Sequence, residues 1–562
     1  MALRQAAIAA NRFGLGARPG EIDAAAGNPK RWLLEQLEGA YAEPKQFAGF
    51  LNSTQHRENY FYRYRTVGPD LRARQDAAKA AGDAALDEKL AKDISRMLTG
   101  YVTWVSESFV LEYGARTNVA LTSKRPFQER LVRFWSNHLV VPGIKQPSNV
   151  LAASYEREVI RPHVTGKFSD MLLASAKNPG MTVFLDNFVS VGPNSVYGKA
   201  SGKGLNENLG REILELHTMG VEGGYSQADV IALANGITGW TTWPAFDHEP
   251  YLVADKRGPN PGAFVFQSDW HEPGAFTMVG KTYPAGGVEQ GEAMLYDLAR
   301  KPATSRYLAT KLARHFVADE PSPELVARLA GAYLASDTSL AEMARALVET
   351  PEAWEQAQTK LKQPEEYAIS CYRALDLSLG GGEAIPNVGV YNFDAYDYPK
   401  SNWARRVQDP DMMMADPAMM DPAMMAKPAT GQTQTANPAM PAMPAAARVA
   451  KPIDPRRRVG TEVARFYDDI KAMGQTPWNA SGPQGYYDRW ADWAGADSML
   501  KRVEWSLALA AEHSGRVPNA GAFLKNSLAD LASPDLTALV SRGATSEEGV
   551  GLTLASPDFQ RR

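Results

Sequence analysis

Cysteine is almost absent: Cys371 stands alone in 562 residues. One thiol closes no intramolecular disulfide and cannot build the multi-thiolate sets of structural zinc or iron–sulfur centres. Its surroundings, EEYAISCYRALDLSL, have helical spacing, so it reads as a small buried hydrophobe rather than a nucleophile. An excess of either charge is also missing. Lys+Arg 60 against Asp+Glu 64 leaves a net charge of −4, which provides no basic field for a nucleic-acid backbone and argues against nucleic acid as a partner. No apolar run approaches the roughly 18 residues that cross a bilayer. The N-terminal apolar patch is cut by Asn11 and Arg12 and is too short for a signal core of about 7–15 residues. The chain therefore reads as cytoplasmic. The alternative is a periplasmic protein, exported with a partner or trimmed of a leader.

Several catalytic signatures are missing too. The eight histidines form no HExxH, no HxH and no Glu-x-x-His, which removes zincins and the usual helical di-iron bundle. No G-x-S-x-G elbow is present for an α/β-hydrolase. The stretch GPNSVYGKASGKG, Gly192 to Gly204, fails as a phosphate loop because its glycine spacing is wrong and Ala200 replaces the magnesium-binding hydroxyl. It reads instead as a mobile loop, placed to act as a lid on the polar NEN helix beside it.

What is present is helical periodicity. RWLLEQLEGAYA, ISRMLTGYVTWVSESFVLEYGAR, PFQERLVRFWSNHLVV and YLATKLARHFVAD repeat apolar residues at helix spacing. The expected fold is mainly α: a large multi-helix body over 1–408, with a charged helical excursion at 63–92 and a Gly/Pro/aromatic region at 239–287. In that region GAFVFQSDW and AFTMVGKTY suggest one short β-hairpin turning at His271-Glu272-Pro273-Gly274. From 409 to 455 the chain is low-complexity and carries nine of the 19 methionines. Repeated proline and scarce bulky residues predict a mobile insertion there. Helices over 456–562 are expected to pack back on the body.

The densest polar cluster runs from Leu205 to Trp240 as two predicted helices. Asn206 suits an N-cap, Gly220 a left-handed stop, and Ser226 with Asp229 a capping box. Capping does not use Arg211, Glu215 and His217. Arg211 and Glu215 are spaced to pair at i,i+4, and Glu212 and Glu215 share a face at i,i+3. Together with His138 and His271 these residues form a carboxylate–imidazole set suited to general acid–base catalysis: His138, Arg211, Glu212, Glu215, His217 and His271. Asn137, Asp186, Asn187 and Trp240 are the candidate substrate-binding residues. Glu212, Glu215 and His217 are the candidate ligands should a divalent metal take part.

The stretch NENLGREILELHTMGVEGGYSQADV with Thr238-Gly239-Trp240 resembles the bacterial family catalogued as domain of unknown function 1800. NRFGLGARPGEID, FWSNHLVV, MTVFLDNFVS, KPATSRYLATKLARHFV and GYYDRWADW are similar in family order, so the resemblance spans nearly the whole chain. Two departures stand out: His271-Glu272 where the family usually shows His-Asp, and Lys301 where it shows histidine. The second rules out a catalytic histidine at 301. The resemblance implies a helical fold and a sulfatase-like partner, of the family catalogued as domain of unknown function 1501, encoded nearby. It implies no reaction. The residues support two readings: an enzyme acting on a polar substrate, or a non-catalytic helical accessory protein that binds the sulfatase-like partner.

Overall fold

The computed structural model describes residues 2–61, 68–144, 148–242, 264–355, 360–382, 455–517, 519–543 and 545–562. The expected insertion at 409–455 lies outside the described residues except for Pro455. The fold is mainly α, with two small antiparallel two-stranded sheets among the described residues. No described helix is long and apolar enough to cross a membrane.

Helices Pro126–His138 and Pro302–Phe316 anchor the largest core. Both begin with proline at the first turn, where its fixed φ suits a helix and its missing N–H costs nothing. Phe127, Leu131, Phe134, Trp135 and His138 repeat at helical spacing and are buried. Phe127 and Phe316 meet Phe13 with ring centroids 5.8 and 6.0 Å away. The opposite side of Pro126–His138 carries Arg130 and Arg133 toward helix Pro364–Ala374, whose first turn holds Glu365 and Glu366. Carboxylates at a helix start are favoured by its dipole, and here each also meets a guanidinium. The far side of Pro364–Ala374 presents Tyr367 and Cys371 to a second core built from Leu509, Phe523, Leu554 and Phe559. Cys371 is buried, and burial pushes its thiol up to about 12.

The charged excursion is a helical hairpin. Helix Gly68–Ala80 packs on helix Ala84–Thr122, whose start is capped by Asp83 accepting from the Leu86 N–H at 3.0 Å. Leu71, Ala78, Leu90 and Met97 form its small core.

The strands correct the expected hairpin. Phe264–Phe266 (β2) does not pair across the His271 turn; it pairs with Trp240–Thr242 (β1), Trp240 opposite Phe266. Phe276–Met278 (β3) pairs with Lys281–Tyr283 (β4) around the two-residue turn Val279-Gly280. Both turn residues have positive φ, as the tight hairpin turn requires. Val279 is strained there, and two bonds hold it: its N–H donates to Asp229 Oδ1 (2.6 Å), and its carbonyl accepts from Lys301 Nζ (3.2 Å). The segment expected as a lid loop contains a short helix. Val196–Ser201 is a short helix capped by Ser195, Tyr197 stacks on Trp270 at 5.1 Å, and Glu272 binds the backbone N–H and side-chain amide of Asn194.

Candidate functional site

The NEN segment forms helix Asn208–Glu212, which widens into a π turn over Ile213–Thr218. The Thr218 hydroxyl donates to the Ile213 carbonyl (2.6 Å) and the Met219 N–H to the Leu214 carbonyl (3.0 Å), both five residues back. Such turns occur frequently at functional sites. Gly220 ends the segment at φ +79°, and a Cβ there would lie 2.6 Å from the Tyr307 ring. Only glycine allows helix Pro302–Phe316 to approach this closely.

Between these elements lies a cavity of about 950 Å³. Glu212 and Glu215 line it from the π-turn segment, and Asn137 and His138 from the end of Pro126–His138. Tyr307, Lys311, Arg314 and His315 line it from one face of Pro302–Phe316, while Leu308, Leu312 and Phe316 face the core. Glu365 and Glu366 complete one side. The loop between helices Pro455–Ala472 and Trp490–Trp493 supplies the rest, with Trp478, Tyr486, Tyr487 and Asp488 among its lining residues.

Asn137 fastens that loop. Its side-chain amide donates to the Tyr486 carbonyl (2.8 Å), and its Oδ1 accepts from the Tyr486 N–H (2.7 Å). Gly485, at φ +72°, lets the loop come this close, since a Cβ would lie 2.3 Å from the Asn137 carbonyl oxygen. Gly485→Ala is expected to lift the loop and cost roughly 1–3 kcal/mol. Faster limited proteolysis between Gly474 and Trp490, together with a lower unfolding midpoint, checks it. An unchanged cleavage rate would show that the loop is held elsewhere.

The remaining candidates lie away from the cavity lining. Arg211 does not pair with Glu215; its guanidinium bonds Glu207 Oε2 (3.0 Å) and Gln227 Oε1 (2.9 Å). The ring of His217 is buried behind His138, whose Nε2–H donates to the His217 carbonyl (3.0 Å). Both ring nitrogens of His271 face acceptors, the Thr238 carbonyl at 3.0 Å and Gln290 Oε1 at 3.1 Å. Asn187 donates to the Ile237 and Trp240 carbonyls (3.2 and 2.9 Å), tying β1 to its neighbours. Asp186 takes a left-handed conformation just before it, and Trp240 is buried edge-on to Phe264. Lys301 does not line the cavity either. Among the described residues no three His, Cys, Asp or Glu side chains are grouped as metal ligands. Glu212 and Glu215 reach the cavity while the His217 ring does not.

Electrostatics divide the cavity wall. Burial and the neighbouring Glu215 charge raise the Glu212 carboxyl to about 7, against a smaller opposing effect of Arg211. Burial, with Lys311 nearby, lowers the His217 imidazole to about 3 and the His138 imidazole well below its usual range, so both rings are neutral. Burial lowers the Lys311 ammonium to about 8. On the same wall the His315 Nδ1 meets Asp488 Oδ2, and the Asp488 Oδ1 accepts from Arg562 (3.3 Å). Burial disfavours a charged Asp488, but His315, Lys360 and Arg130 outweigh it and hold the carboxylate below its usual range. Beneath this layer Arg116 bridges Glu156 (2.7 Å) and Glu365 (2.9 Å), and Arg133 meets Glu365 at 2.9 Å.

Residues 8–561 match the model of a family described as "Protein of unknown function (DUF1800)". The chain belongs to this family. No curated protein and no solved structure matches it. Within this DUF1800 chain the FWSNH, NEN, KLARHF and GYYDRW segments, widely separated in sequence, all contribute to one cavity. Sequence reasoning missed Lys311, His315, Glu365, Glu366 and Asp488. The available signal was that GYYDRWADW and KLARHFV are polar or aromatic stretches shared with the family.

Proposed function

We propose that this DUF1800 protein is an enzyme that works by general acid–base catalysis on a polar substrate bound in the cavity. The observation that carries the reading is the Glu212–Glu215 pair: two half-buried carboxyls on one helical face at a cavity wall, one raised to about 7. Burial first, and the neighbouring Glu215 charge second, oppose ionisation of Glu212, so a substantial fraction of this carboxyl keeps its proton near pH 7. Glu212 then donates a proton to a leaving or carbonyl oxygen, and Glu215 accepts one from water or substrate. Neutral His138 contributes a hydrogen-bonding ring rather than a charge. The π turn supports this role because it carries Glu215 at the cavity wall directly after Glu212, and the Glu212 side chain is not spent on capping it.

Carbon-13-labelled glutamate NMR tests the pair directly. A carboxyl titrating near pH 7 is expected, moving toward the ordinary range in Glu215→Gln as the repulsion is removed. A screen of chromogenic esters, amides and glycosides is expected to find a turnover that falls by about 10²–10⁴-fold in Glu212→Gln. A Glu212 that titrates like an exposed glutamate, with no turnover in the screen, would overturn the enzyme reading. It would leave the alternative, a helical accessory protein that binds a sulfatase-like partner.

A further inference from the structure

Lys311 stands apart from the other cations on the cavity wall. Arg116 and Arg133 are paired with Glu365, and Arg314 donates to the Asp319 carbonyl (2.8 Å) and approaches Glu320. Lys311 makes no hydrogen bond or ion pair among the described residues; its ammonium lies over the Tyr307 ring, 5.5 Å from nitrogen to centroid. The groups that act on it come from every side. Tyr307 and Arg314 share its helix, Asp488 approaches from the 474–489 loop, and the neutral rings of His138 and His217 lie across from it. Asp488 already serves His315 and Arg562. A half-buried ammonium in a cavity, with no carboxylate of its own, lacks the counter-charge that burial ordinarily demands. The Arg314 guanidinium has donors left as well, because Glu320 is largely exposed and lies 3.7 Å away.

We propose that Lys311 anchors an oxyanion of the substrate, so that the cavity takes a small organic anion, a carboxylate or a phosphate ester, with Arg314 as the second cation. This rests on the acid–base reading of Glu212 and extends it to a substrate class. The two roles are compatible where Lys311 and Arg314 together outweigh the Glu215 charge on the same wall, since Glu212, when it keeps its proton, does not repel an incoming anion. A bound anion also favours the protonated form of Glu212, preserving the acid for the chemical step.

The test is binding, not turnover. Inorganic phosphate and succinate are titrated separately into the full-length protein at pH 8, by calorimetry in two buffers of different ionisation heat. Binding is expected with fractional proton uptake, because the anion draws a partly deprotonated Lys311 to its charged form. Preference for one probe distinguishes a phosphate from a carboxylate substrate. Lys311→Met is expected to weaken binding by at least about tenfold and to abolish the part of the uptake that Lys311 contributes. Lys311→Arg is expected to restore affinity without that uptake, since a guanidinium does not titrate in this range. Recovered binding in Lys311→Arg also shows that the methionine variant did not fail merely by misfolding. If neither probe binds at millimolar concentration, or both bind Lys311→Met as well as wild type, the proposal is overturned. The Glu212 titration is measured without any anion, so that outcome leaves the acid–base reading standing. A normal Glu212 titration with intact anion binding would instead overturn only the latter.

Discussion

Replacing Glu156 by glutamine is expected to destabilise the protein by about 3–5 kcal/mol, the range found when one partner of a buried ion pair is removed. The carboxylate is only 2% exposed. It accepts from Arg116 at 2.7 Å, from Arg161 at 3.0 Å and from the Ser136 hydroxyl at 2.9 Å. Burial alone would raise its pKa, but the two guanidiniums win and hold it at about 2. The amide of glutamine would place donors against donors and leave two buried cations short of an acceptor. A control sets the scale. Glu35 pairs with Arg31 at 2.7 Å with both side chains exposed, and Glu35→Gln is expected to leave stability nearly unchanged. The pH dependence has a definite sign. A carboxylate with a depressed native pKa stabilises the fold above its unfolded pKa, about 4.3, and loses that contribution as pH falls through about 2. The gap between wild type and Glu156→Gln in urea unfolding should therefore close between about pH 5 and pH 2. A gap below 1 kcal/mol, or one indifferent to pH, would show that the pairs do not support the fold. Because Arg116, Ser136 and Glu365 line the cavity, the same variant should also disturb the site.

Local signals were legible where chemistry and position lie close in the chain. Ser226 and Asp229 form the expected reciprocal cap, with the Ser226 N–H donating to Asp229 Oδ2 at 2.7 Å, and Gly220 takes the expected left-handed stop. The Asn206 cap is one step off: its Oδ1 accepts from the Asn208 N–H, while Glu207 occupies the cap position without a side-chain bond. The Arg211 partner differs from expectation for another reason. Glu207 and Glu215 are both four residues away, and a regular helix offers either. The π turn beginning at Ile213 displaces Glu215 from that row, so Glu207 takes the guanidinium. No local pattern announces a π turn, because its extra residue answers to packing around Gly220 and Tyr307.

Long-range pairings were illegible for the same reason throughout. β1 and β2 are separated by residues 243–263, so a short hairpin read from neighbouring runs chose the wrong partner. In sequence His315 is one more polar residue on an amphipathic helix, and only the fold brings Asp488, 173 positions later, against its ring. Asn137 stands out as polar on an apolar segment, and its bonds turn out to hold the Tyr486 backbone. Glu212 and Glu215 could be singled out from sequence because they share a face and Glu215 is free of any capping role. The raised titration of Glu212 could not, because it depends on the burial that the 474–489 loop and the Pro302–Phe316 helix help to create.

Lys362→Met is expected to stabilise the protein, on the order of 3–5 kcal/mol at and below neutral pH. The backbone forces the residue inside. Its N–H donates to the Gln560 carbonyl (2.9 Å), its carbonyl accepts from Arg502 (2.7 Å), and the adjoining Leu361 bridges to Arg561. The side chain is then 1% exposed with no hydrogen-bond partner for its nitrogen, which sits 4.3 Å from the centre of the Phe559 ring. Burial lowers its pKa to about 7. The ring offers a cation–π contact worth about 2 kcal/mol when desolvated, less than such a shift represents at about 1.4 kcal/mol per unit. Between about pH 7 and 10.5 the unfolded chain binds the proton that the folded protein has released, so wild-type stability should rise with pH across this window. Lys362→Met lacks that group, and its advantage should shrink over the same range. Urea unfolding at pH 6.5 and pH 9.5 measures both. A destabilised methionine variant, or an advantage that does not change between the two values, would mean that the ammonium has found a counter-charge in the folded protein. A gain of the expected size would identify Lys362 as a residue carried at a cost to stability, one residue from Gln363 on the cavity wall.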